Sequence, residues 1–125
     1  VASGIGVPPV RALAESMASR PGDLKIIYRV RDEADAALLN ELRHISLLRK
    51  IDLHVFAGPR ANGHSWLNAD PEGRPDLVRL VTIAPDIADS DVYVCGPDGW
   101  TKSVVNSATR AGVPAHQIHS EEYAW

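Results

Sequence analysis

The sequence is poor in the features that define several large protein classes. Its 125 residues include one cysteine, Cys95, which excludes an internal disulfide framework and a zinc site built from several cysteines. No apolar run approaches the roughly 20 residues that cross a bilayer, and no signal-peptide pattern is present. We therefore expect a soluble, cytoplasmic segment that works in a reducing compartment.

Excess positive charge is also absent. The chain has 13 lysine and arginine residues against 16 aspartate and glutamate residues, a net charge of −3, so it lacks the basic footprint of a nucleic-acid-binding domain. With 45% hydrophobic and 23% charged residues, the composition is typical of a globular protein, and the length predicts one domain with a single core. Because the first residue is Val1 rather than methionine, we expect a piece of a longer chain or a trimmed product.

Three catalytic or metal-binding patterns are missing as well. The stretch "GHSWL" at 63–67 lacks the G-x-S-x-G spacing of a hydrolase nucleophile elbow. No tyrosine is followed by a lysine four residues later, which argues against the catalytic pair of a standalone short-chain dehydrogenase. His116 and His119 are three residues apart, but the pattern supplies no third ligand, so no metal site is predicted.

Short runs of β-branched and aromatic residues alternate with longer helical patterns along the chain. This alternation predicts an α/β fold built on a parallel sheet, with a very short first strand. Strands are predicted at 1–3, 25–30, 51–57, 91–95 and 118–123, and helices at 9–19, 33–49, 76–84 and 100–111.

The second helix and the loop after the third strand have patterns of their own. In the helix, the apolar residues at helical spacing that we expect to be buried are Leu38, Leu42, Ile45 and Leu48. Residues 58–75 contain three glycines and three prolines and are predicted to form a long loop. A loop of that length inside a compact domain is usually functional or mobile.

The loop after the first strand has two glycines before a helix. Open α/β sheets bind ligands at the carboxyl ends of their strands. Gly4 and Gly6, on either side of Ile5, permit a tight turn and a close approach of backbone N–H groups to a diphosphate. Pro9 suits the first helical turn, whose N-terminus favours anions. An ordinary strand-to-helix turn explains the same residues. A diphosphate site does not explain Pro8, which removes one more backbone amide from this loop.

Arginines stand at the end of the second strand, where an NAD site commonly has an acidic residue. Arg29 and Arg31 surround the last residue of that strand, and Arg60 follows the third strand. Guanidinium groups suit a 2′-phosphate because they form paired hydrogen bonds with it. The alternative is a solvated strand end in which arginine pairs with Asp32 or Glu33.

The stretch "CGPDGW" at 95–100 ends a buried strand and starts a helix. It places the Cys95 thiol and the backbone of Gly96, Pro97 and Asp98 at the ligand-binding edge of the sheet. A buried structural cysteine followed by a turn is the alternative, and it is common for this residue type. A nucleophilic role for Cys95 would require a nearby base, which the sequence does not identify.

Four stretches together, "SGIGVPPVRAL", "IIYRVR", "DVYVCGPDGW" and "IHSEEYAW", resemble the NAD(P)H-binding domain of the ferredoxin-NADP reductase family. The resemblance covers nearly the whole chain and looks closest to bacterial members in which this domain ends a ferric-reductase-like membrane flavoprotein. It implies a doubly wound, five-stranded sheet in the order 3-2-1-4-5, with helices on both faces. Residues 1–3 would then be the end of a truncated central strand.

The resemblance also implies roles for individual residues. An acidic residue near the terminus, matched by Glu121, would assist the hydride-transfer site. Trp125 would stack on the flavin ring and move for nicotinamide, although it could also pack on its own domain. Gly4, Gly6 and Pro9 would form the diphosphate loop, and Arg29 and Arg31 would face the adenosine phosphate. Cys95, counted with Glu121 and Trp125 among the catalytic residues, would border the nicotinamide together with Gly96 and Pro97. The coenzyme-binding residues are expected to include Ile5, Arg60 and Asp98 as well.

The implied activity is hydride transfer from nicotinamide C4 of NADPH, or NADH, to N5 of FAD, with onward electron transfer to a ferredoxin, ferric iron or haem. FAD would be held mainly by a preceding flavin-binding domain that this chain lacks, and a membrane domain in the parent protein is possible on the same resemblance. The isolated segment is expected to be inactive. A nucleotide-binding regulatory or interaction module without redox activity is the alternative.

Overall fold

The computed structural model describes residues 1–17 and 20–123, with the backbone alone at Ile5, Asp35, Glu122 and Tyr123. No helix in this described part of the chain is long and apolar enough to cross a membrane. The strands are β1 (Ala2–Ser3), β2 (Lys25–Val30), β3 (Asp52–Ala57), β4 (Val92–Pro97) and β5 (Ile118–Tyr123), and the α-helices are α1 (Val7–Ser16), α2 (Leu39–Arg49), α3 (Asp76–Ile83) and α4 (Asp98–Arg110).

The strands form one parallel sheet in the order β3-β2-β1-β4-β5. The predicted doubly wound order 3-2-1-4-5 and the short first strand are therefore confirmed. In the centre of the sheet, Ala2 pairs with Tyr28 of β2 and with Cys95 of β4. The chain order reverses at β1, so the loops after β1 and β4 meet at the topological switch point, where such sheets bind ligands.

Helices cover both faces of the sheet, because the inner strands are apolar on both sides. On one face, Ile26 and Tyr28 of β2 pack in a cluster with buried residues of α1 and α2. On the other face, Ile27 packs in a cluster with residues of α3, α4 and the loop before α3. Successive residues of β2 thus contribute to different clusters, as the alternation of side chains along a strand requires.

The second helix begins later than the prediction of 33–49. Asp32 accepts a hydrogen bond from the Ala34 amide at 3.0 Å and so starts a short 3-10 turn at Glu33–Asp35. Leu38 then adopts a left-handed backbone with φ of 58°, and α2 starts only after it. The predicted buried face was wrong in part, since Leu48 is 71% exposed. The buried residues of α2 are Leu39, Leu42 and Ser46.

Two other helices begin two residues earlier than predicted. Helix α1 starts at Val7 rather than at Pro9, and both prolines lie in its first turn, where a missing N–H costs no helical hydrogen bond. Helix α4 starts at Asp98 rather than at Trp100, directly after β4. Pro97 is its extended N-cap, with φ of −60° and ψ of 151°. The strand-to-helix connections at the carboxyl ends of β1 and β4 are therefore very short.

The long connection at 58–75 is anchored to the core by a pair of tryptophans. Trp66 is buried, and its indole N–H donates to Ser107 Oγ of α4 at 3.0 Å. The indole of Trp100 donates to the Trp66 carbonyl at 3.0 Å, and the two rings meet edge to face at 6.2 Å. Asp76 of α3 accepts hydrogen bonds from Ser65 Oγ and from the Trp66 amide. The centre of this loop is therefore a fixed part of the core.

The protein is expected to become more stable when Lys50 is replaced by glycine. It ends α2 in the left-handed region with φ of 54°, where a Cβ atom is unfavourable, and the Ile51 amide bonds back to the Ser46 carbonyl at 2.9 Å. We expect Lys50→Gly to raise the free energy of unfolding by about 0.5–1 kcal/mol. Lys50→Ala removes the same charge but keeps the Cβ atom, so it should give no gain. Urea unfolding of both variants tests this expectation.

Candidate functional site

The carboxyl edge of the sheet brings together the loops that follow β1, β2, β3 and β4. Since all five strands are parallel, these loops open on the same side of the molecule. The segment Gly4–Gly6 forms a 3-10 turn that leads directly into α1, and Gly4 has a positive φ of 54°. On the neighbouring strand, Pro97 leads directly into α4. The N-termini of two helices therefore lie at this edge, one on each side of the switch point.

Gly6 and Gly96 let the backbones at the switch point approach each other closely. A Cβ atom on Gly6 would lie 2.6 Å from the carbonyl carbon of Cys95, which is closer than real Cβ contacts allow. A Cβ atom on Gly96 would lie 2.5 Å from the ring of Trp100 and 3.3 Å from the side chain of Ser3. The glycine requirement thus comes from packing between the loops as well as from the turn. Because Gly6 and Gly96 have no side chains, backbone atoms line the centre of the carboxyl edge.

Pro8 and Pro9 remove two N–H donors from the first turn of α1. An anion at this helix end would therefore be met by the backbone of Gly4–Gly6 and by the partial positive charge of the helix N-terminus. No side-chain hydrogen bond caps either the Gly4–Gly6 turn or α1. This arrangement is compatible with a diphosphate beside the turn.

Arg29 is buried in the sheet rather than displayed at its edge. Its guanidinium donates to the carbonyl of Val30 and, at 3.3 Å, to the carbonyl of Phe56 on β3. Its Nε atom is buried, and no atom in the described part of the chain accepts a hydrogen bond from it. Burial, with the positive charges of Arg60, Arg31 and Arg79, lowers the pKa of the Arg29 guanidinium from its usual range. Direct contact between Arg29 and a phosphate stays a prediction.

Arg79 of α3 joins this group, and sequence reasoning missed it. Its guanidinium donates to the carbonyl of Asn68 at 2.6 Å and to Oδ1 of the same residue at 2.8 Å. Its central carbon lies 5.2 Å from the centroid of the Phe56 ring, within the range of a cation–π contact. The signal in the sequence was an arginine in the middle of the apolar run "LVRLV" at 77–81. The arginine cluster, as we call it, consists of Arg29, Arg31, Arg60 and Arg79.

The two outer members of the arginine cluster are exposed. Among the side chains that the structure describes, neither Arg31 nor Arg60 forms an ion pair. Asp32 bonds instead to the Ala34 amide, and Glu33 pairs with Arg43 at 2.5 Å. Neither of these two carboxylates therefore neutralises the exposed arginines by direct contact. The positive charge and the guanidinium donors at the ends of β2 and β3 suit a dianionic phosphate.

Cys95 lies at the switch point with its thiol in the core. The residue is 5% exposed and packs in the cluster that contains Ala2 and Val7. Burial raises the pKa of the thiol; the Val1 amino group opposes this effect and Glu121 adds to it. The thiol therefore stays protonated at neutral pH, which disfavours a nucleophilic role. What Cys95 presents to the edge is its backbone, next to Gly6.

The other predicted residues lie near the same edge. Glu121 is exposed on β5, in register with Cys95. Asp98 begins α4 and accepts a hydrogen bond from the ammonium of Lys102 at 3.3 Å. Trp125 lies outside the described residues. No group of three or more histidine, cysteine, aspartate or glutamate side chains suited to a metal ion occurs in the part of the chain that the structure describes.

The sequence profile of one family, described as the oxidoreductase NAD-binding domain, matches residues 1–106. The chain belongs to this family. The predicted resemblance to the NAD(P)H-binding domain of ferredoxin-NADP reductase-like proteins is thereby confirmed, and the carboxyl edge is where a domain of this fold binds its coenzyme.

The chain is similar to parts of three longer proteins. The vanillate O-demethylase oxidoreductase of Pseudomonas sp. strain HR199 is 27% identical over 98% of the chain, which spans 35% of that protein. A flavohemoglobin from Malassezia yamatoensis with bound FAD and heme has a TM-score of 0.69 and 26% identity, over 98% of this chain and 30% of that one. The ferredoxin-NADP+ reductase from Plasmodium falciparum has a TM-score of 0.71 and 18% identity, over 98% of this chain and 50% of that one, and shows the fold alone.

The NAD-binding domain thus spans about a third of the length of the oxidoreductase that it matches. None of the proteins named here is a ferric reductase, so the closer resemblance to membrane ferric reductases stays a prediction. FAD is present in one of the solved neighbours, in accord with a flavin held outside the region that aligns here.

Proposed function

We propose that this domain binds NADPH in preference to NADH and serves a flavin-dependent reductase whose FAD is held mainly by another domain of a longer polypeptide. The observation that carries the coenzyme assignment is the arginine cluster near the ends of β2 and β3. Arg31 and Arg60 are exposed there, and neither pairs with an acidic side chain among those that the structure describes. A 2′-phosphate would supply a negative charge in direct contact with these two arginines.

The residues of the carboxyl edge fit the parts of such a coenzyme in order along the sheet. The turn at Gly4–Gly6 and the N-terminus of α1 would hold the diphosphate, which can come close because backbone atoms line the centre of the edge. Arg31 and Arg60 would bind the 2′-phosphate. The backbone of Gly96 and Pro97, at the start of α4, would border the nicotinamide. When bound, the coenzyme supplies a hydride for a flavin, and the domain supplies position and electrostatics.

Arg29 acts in this proposal as a positioning residue. Its guanidinium bonds to carbonyls at the ends of β2 and β3 and so holds together the two strand ends that carry Arg31 and Arg60. Arg79 fixes Asn68, whose amide in turn donates to the Ala57 carbonyl at 2.8 Å. The two buried arginines thus support the two exposed ones, and all four raise the local positive potential.

Glu121 and Trp125 belong to the nicotinamide end of the proposed site. The register of Glu121 beside Cys95 places a carboxylate on the strand next to the switch point, where it would assist the hydride-transfer site. We propose for Trp125 the flavin-stacking role that the resemblance implies. The electron acceptor would be an iron-containing centre, a ferredoxin, ferric iron or a haem. A single buried, unpaired cysteine supports a cytoplasmic location.

Calorimetric titration of the domain with NADPH and with NADH tests the proposal. We expect NADPH to bind at least about tenfold more tightly, because a charge-assisted hydrogen bond is worth about 1.5–3 kcal/mol. Adenosine 5′-diphosphate and its 2′-phosphorylated form should show the same difference. Equal affinities for NADPH and NADH would show that the arginine cluster does not bind the 2′-phosphate. Failure to bind either coenzyme would show that the carboxyl edge is not a coenzyme site.

A further inference from the structure

The connection between β3 and α3 has an exposed turn at its tip, which contains the dipeptide Asn62-Gly63. Residues 61–64 are all exposed. The chain becomes buried directly afterwards, and Trp66 is 1% exposed. The Ser65 amide closes the turn by donating to the main-chain carbonyl of Asn62 at 3.2 Å. The core therefore anchors this turn and leaves its tip open to water.

The side chain of Asn62 is folded back over the peptide bond that it shares with Gly63. Its Oδ1 atom accepts a hydrogen bond from the His64 amide at 2.8 Å, which is the contact of an Asx turn. The ring that this bond closes contains both Cγ of Asn62 and the backbone nitrogen of Gly63, so it keeps the two atoms close. The bond also places an N–H donor on the oxygen that would become negative if a nucleophile added to Cγ.

The backbone nitrogen of Gly63 is available as that nucleophile. In the part of the chain that the structure describes, it donates no hydrogen bond, and neither does Nδ2 of Asn62. Gly63 has no side chain to restrict the peptide unit. A Cβ atom at this position would meet nothing within 4 Å, so the surroundings leave room for a five-membered ring.

The other asparagines lack this combination of features. Asn40 and Asn106 lie inside α2 and α4, where the helix fixes the backbone. Asn68 does not precede a glycine, and both ends of its side-chain amide are bonded. Its Oδ1 atom accepts from Arg79 at 2.8 Å, and its Nδ2 atom donates to a main-chain carbonyl of β3 at 2.8 Å. Asn68 is therefore a natural control for Asn62.

We propose that Asn62 is a site of spontaneous deamidation, in which its neutral amide becomes a carboxylate. The Gly63 nitrogen gives up its proton and bonds to Cγ of Asn62, the bond between Cγ and Nδ2 breaks, and ammonia leaves with that proton. The product is a five-membered succinimide. Water then adds to one of its two carbonyls and reopens the ring, which gives aspartate or isoaspartate. The reaction is redox-neutral, and water is its only co-reactant.

The new charge would lie close to the arginine cluster. Asn62 follows Arg60 by two residues, and Arg60 pairs with Asn68 in a β-bridge at the base of the turn. A carboxylate at position 62 would repel a phosphate bound at Arg60. Ageing of the protein would thereby lower its affinity for NADPH. This consequence rests on the proposed function, whereas the deamidation itself does not.

Incubation of the folded chain in mildly alkaline water enriched in heavy oxygen tests the proposal, because the new carboxylate is labelled as it forms. Peptide mass spectrometry should find the label at Asn62 and none at Asn68. Gly63→Ala is the matched variant, since its Cβ atom fits the turn but restricts the attack on Cγ. We expect labelling of Asn62 to be at least about tenfold slower in that variant.

Label that appears at Asn62 only after urea unfolding would overturn the proposal. So would equal labelling of Asn62 and Asn68, or equal rates in the parent chain and in Gly63→Ala. The variant Asn62→Asp reproduces the product and should bind NADPH about two- to tenfold more weakly at low salt. Labelling of Asn62 together with an unchanged affinity in Asn62→Asp would support the modification site and contradict the placement of the 2′-phosphate at Arg60.

Discussion

Replacement of Gly6 by alanine is expected to separate the two loops at the switch point and to weaken coenzyme binding. The added Cβ atom would lie 2.6 Å from the carbonyl carbon of Cys95 and 3.1 Å from the amide nitrogen of Gly96. The obstructing atoms belong to the backbone of a central strand, so no side chain can rotate to relieve the clash. We expect the free energy of unfolding to fall by about 1–3 kcal/mol and the affinity for NADPH to fall at least about tenfold.

Gly99→Ala is the matched control for this variant. Gly99 lies in the first turn of α4, close to the same edge, but a Cβ atom there would meet nothing within 4 Å. Alanine in a helix is favoured over glycine, so this variant should be about 0.5–1 kcal/mol more stable than the parent chain. Urea unfolding and coenzyme titration of both variants give the comparison. A Gly6→Ala chain as stable as Gly99→Ala, with unchanged affinity, would contradict the loop contact.

Removal of both exposed arginines of the cluster is expected to abolish the preference for NADPH. In the double variant Arg31→Ala, Arg60→Ala the 2′-phosphate loses the two guanidinium groups proposed to bind it, while Arg29 and Arg79 keep their bonds to backbone carbonyls and to Asn68. Each lost charge-assisted bond is worth about 1.5–3 kcal/mol. Because two such bonds are lost, we expect NADPH affinity to fall at least about a hundredfold, with NADH affinity changed much less.

Arg20→Ala serves as the control for the arginine variants. Arg20 is an exposed residue before the start of β2, at the amino edge of the sheet, where it pairs with Asp23 at 3.2 Å. Its removal therefore changes the net charge without touching the carboxyl edge. Its affinity for both coenzymes should match that of the parent chain. If the double variant keeps its preference for NADPH, or if Arg20→Ala loses as much affinity, the assignment of Arg31 and Arg60 to the 2′-phosphate is wrong.

The sheet and its ligand-binding edge could be predicted because they follow from local patterns and one topological rule. Runs such as "KIIYRV" and "DVYVC" have the composition of strands buried on both faces, and the carboxyl ends of parallel strands meet at one edge. The turn at Gly4–Gly6 and the start of α4 at "PDGW" were placed at that edge for the same reason. The close approach of Gly6 to the backbone of Cys95 and Gly96 could not be predicted, because it depends on the separation of two backbones.

The differences between the predicted and the observed structure come from tertiary contacts, which the spacing of residues along the sequence does not reveal. Leu38 takes a left-handed conformation that interrupts a regular apolar pattern, so the buried face of α2 shifted to Leu39, Leu42 and Ser46. Arg29 alternates into the interior, and its carbonyl partners lie on β2 and on β3, 27 residues away. Arg79 reaches the arginine cluster only through the fold of the loop that Trp66 anchors. Such long-range polar partners are set by packing.

Mapping the residues that NADPH contacts tests whether the carboxyl edge of the sheet is the coenzyme site. Amide chemical shifts of the isotopically labelled chain, recorded with and without NADPH, distinguish the two edges of the sheet. We expect shift changes at Gly4–Val7, at Gly96 and at the strand end that carries Arg31, with little change at Lys25 and Val92. Changes confined to the amino edge, around Lys25 and Val92, would show that the coenzyme binds elsewhere, and a spectrum that NADPH leaves unchanged would show that it does not bind.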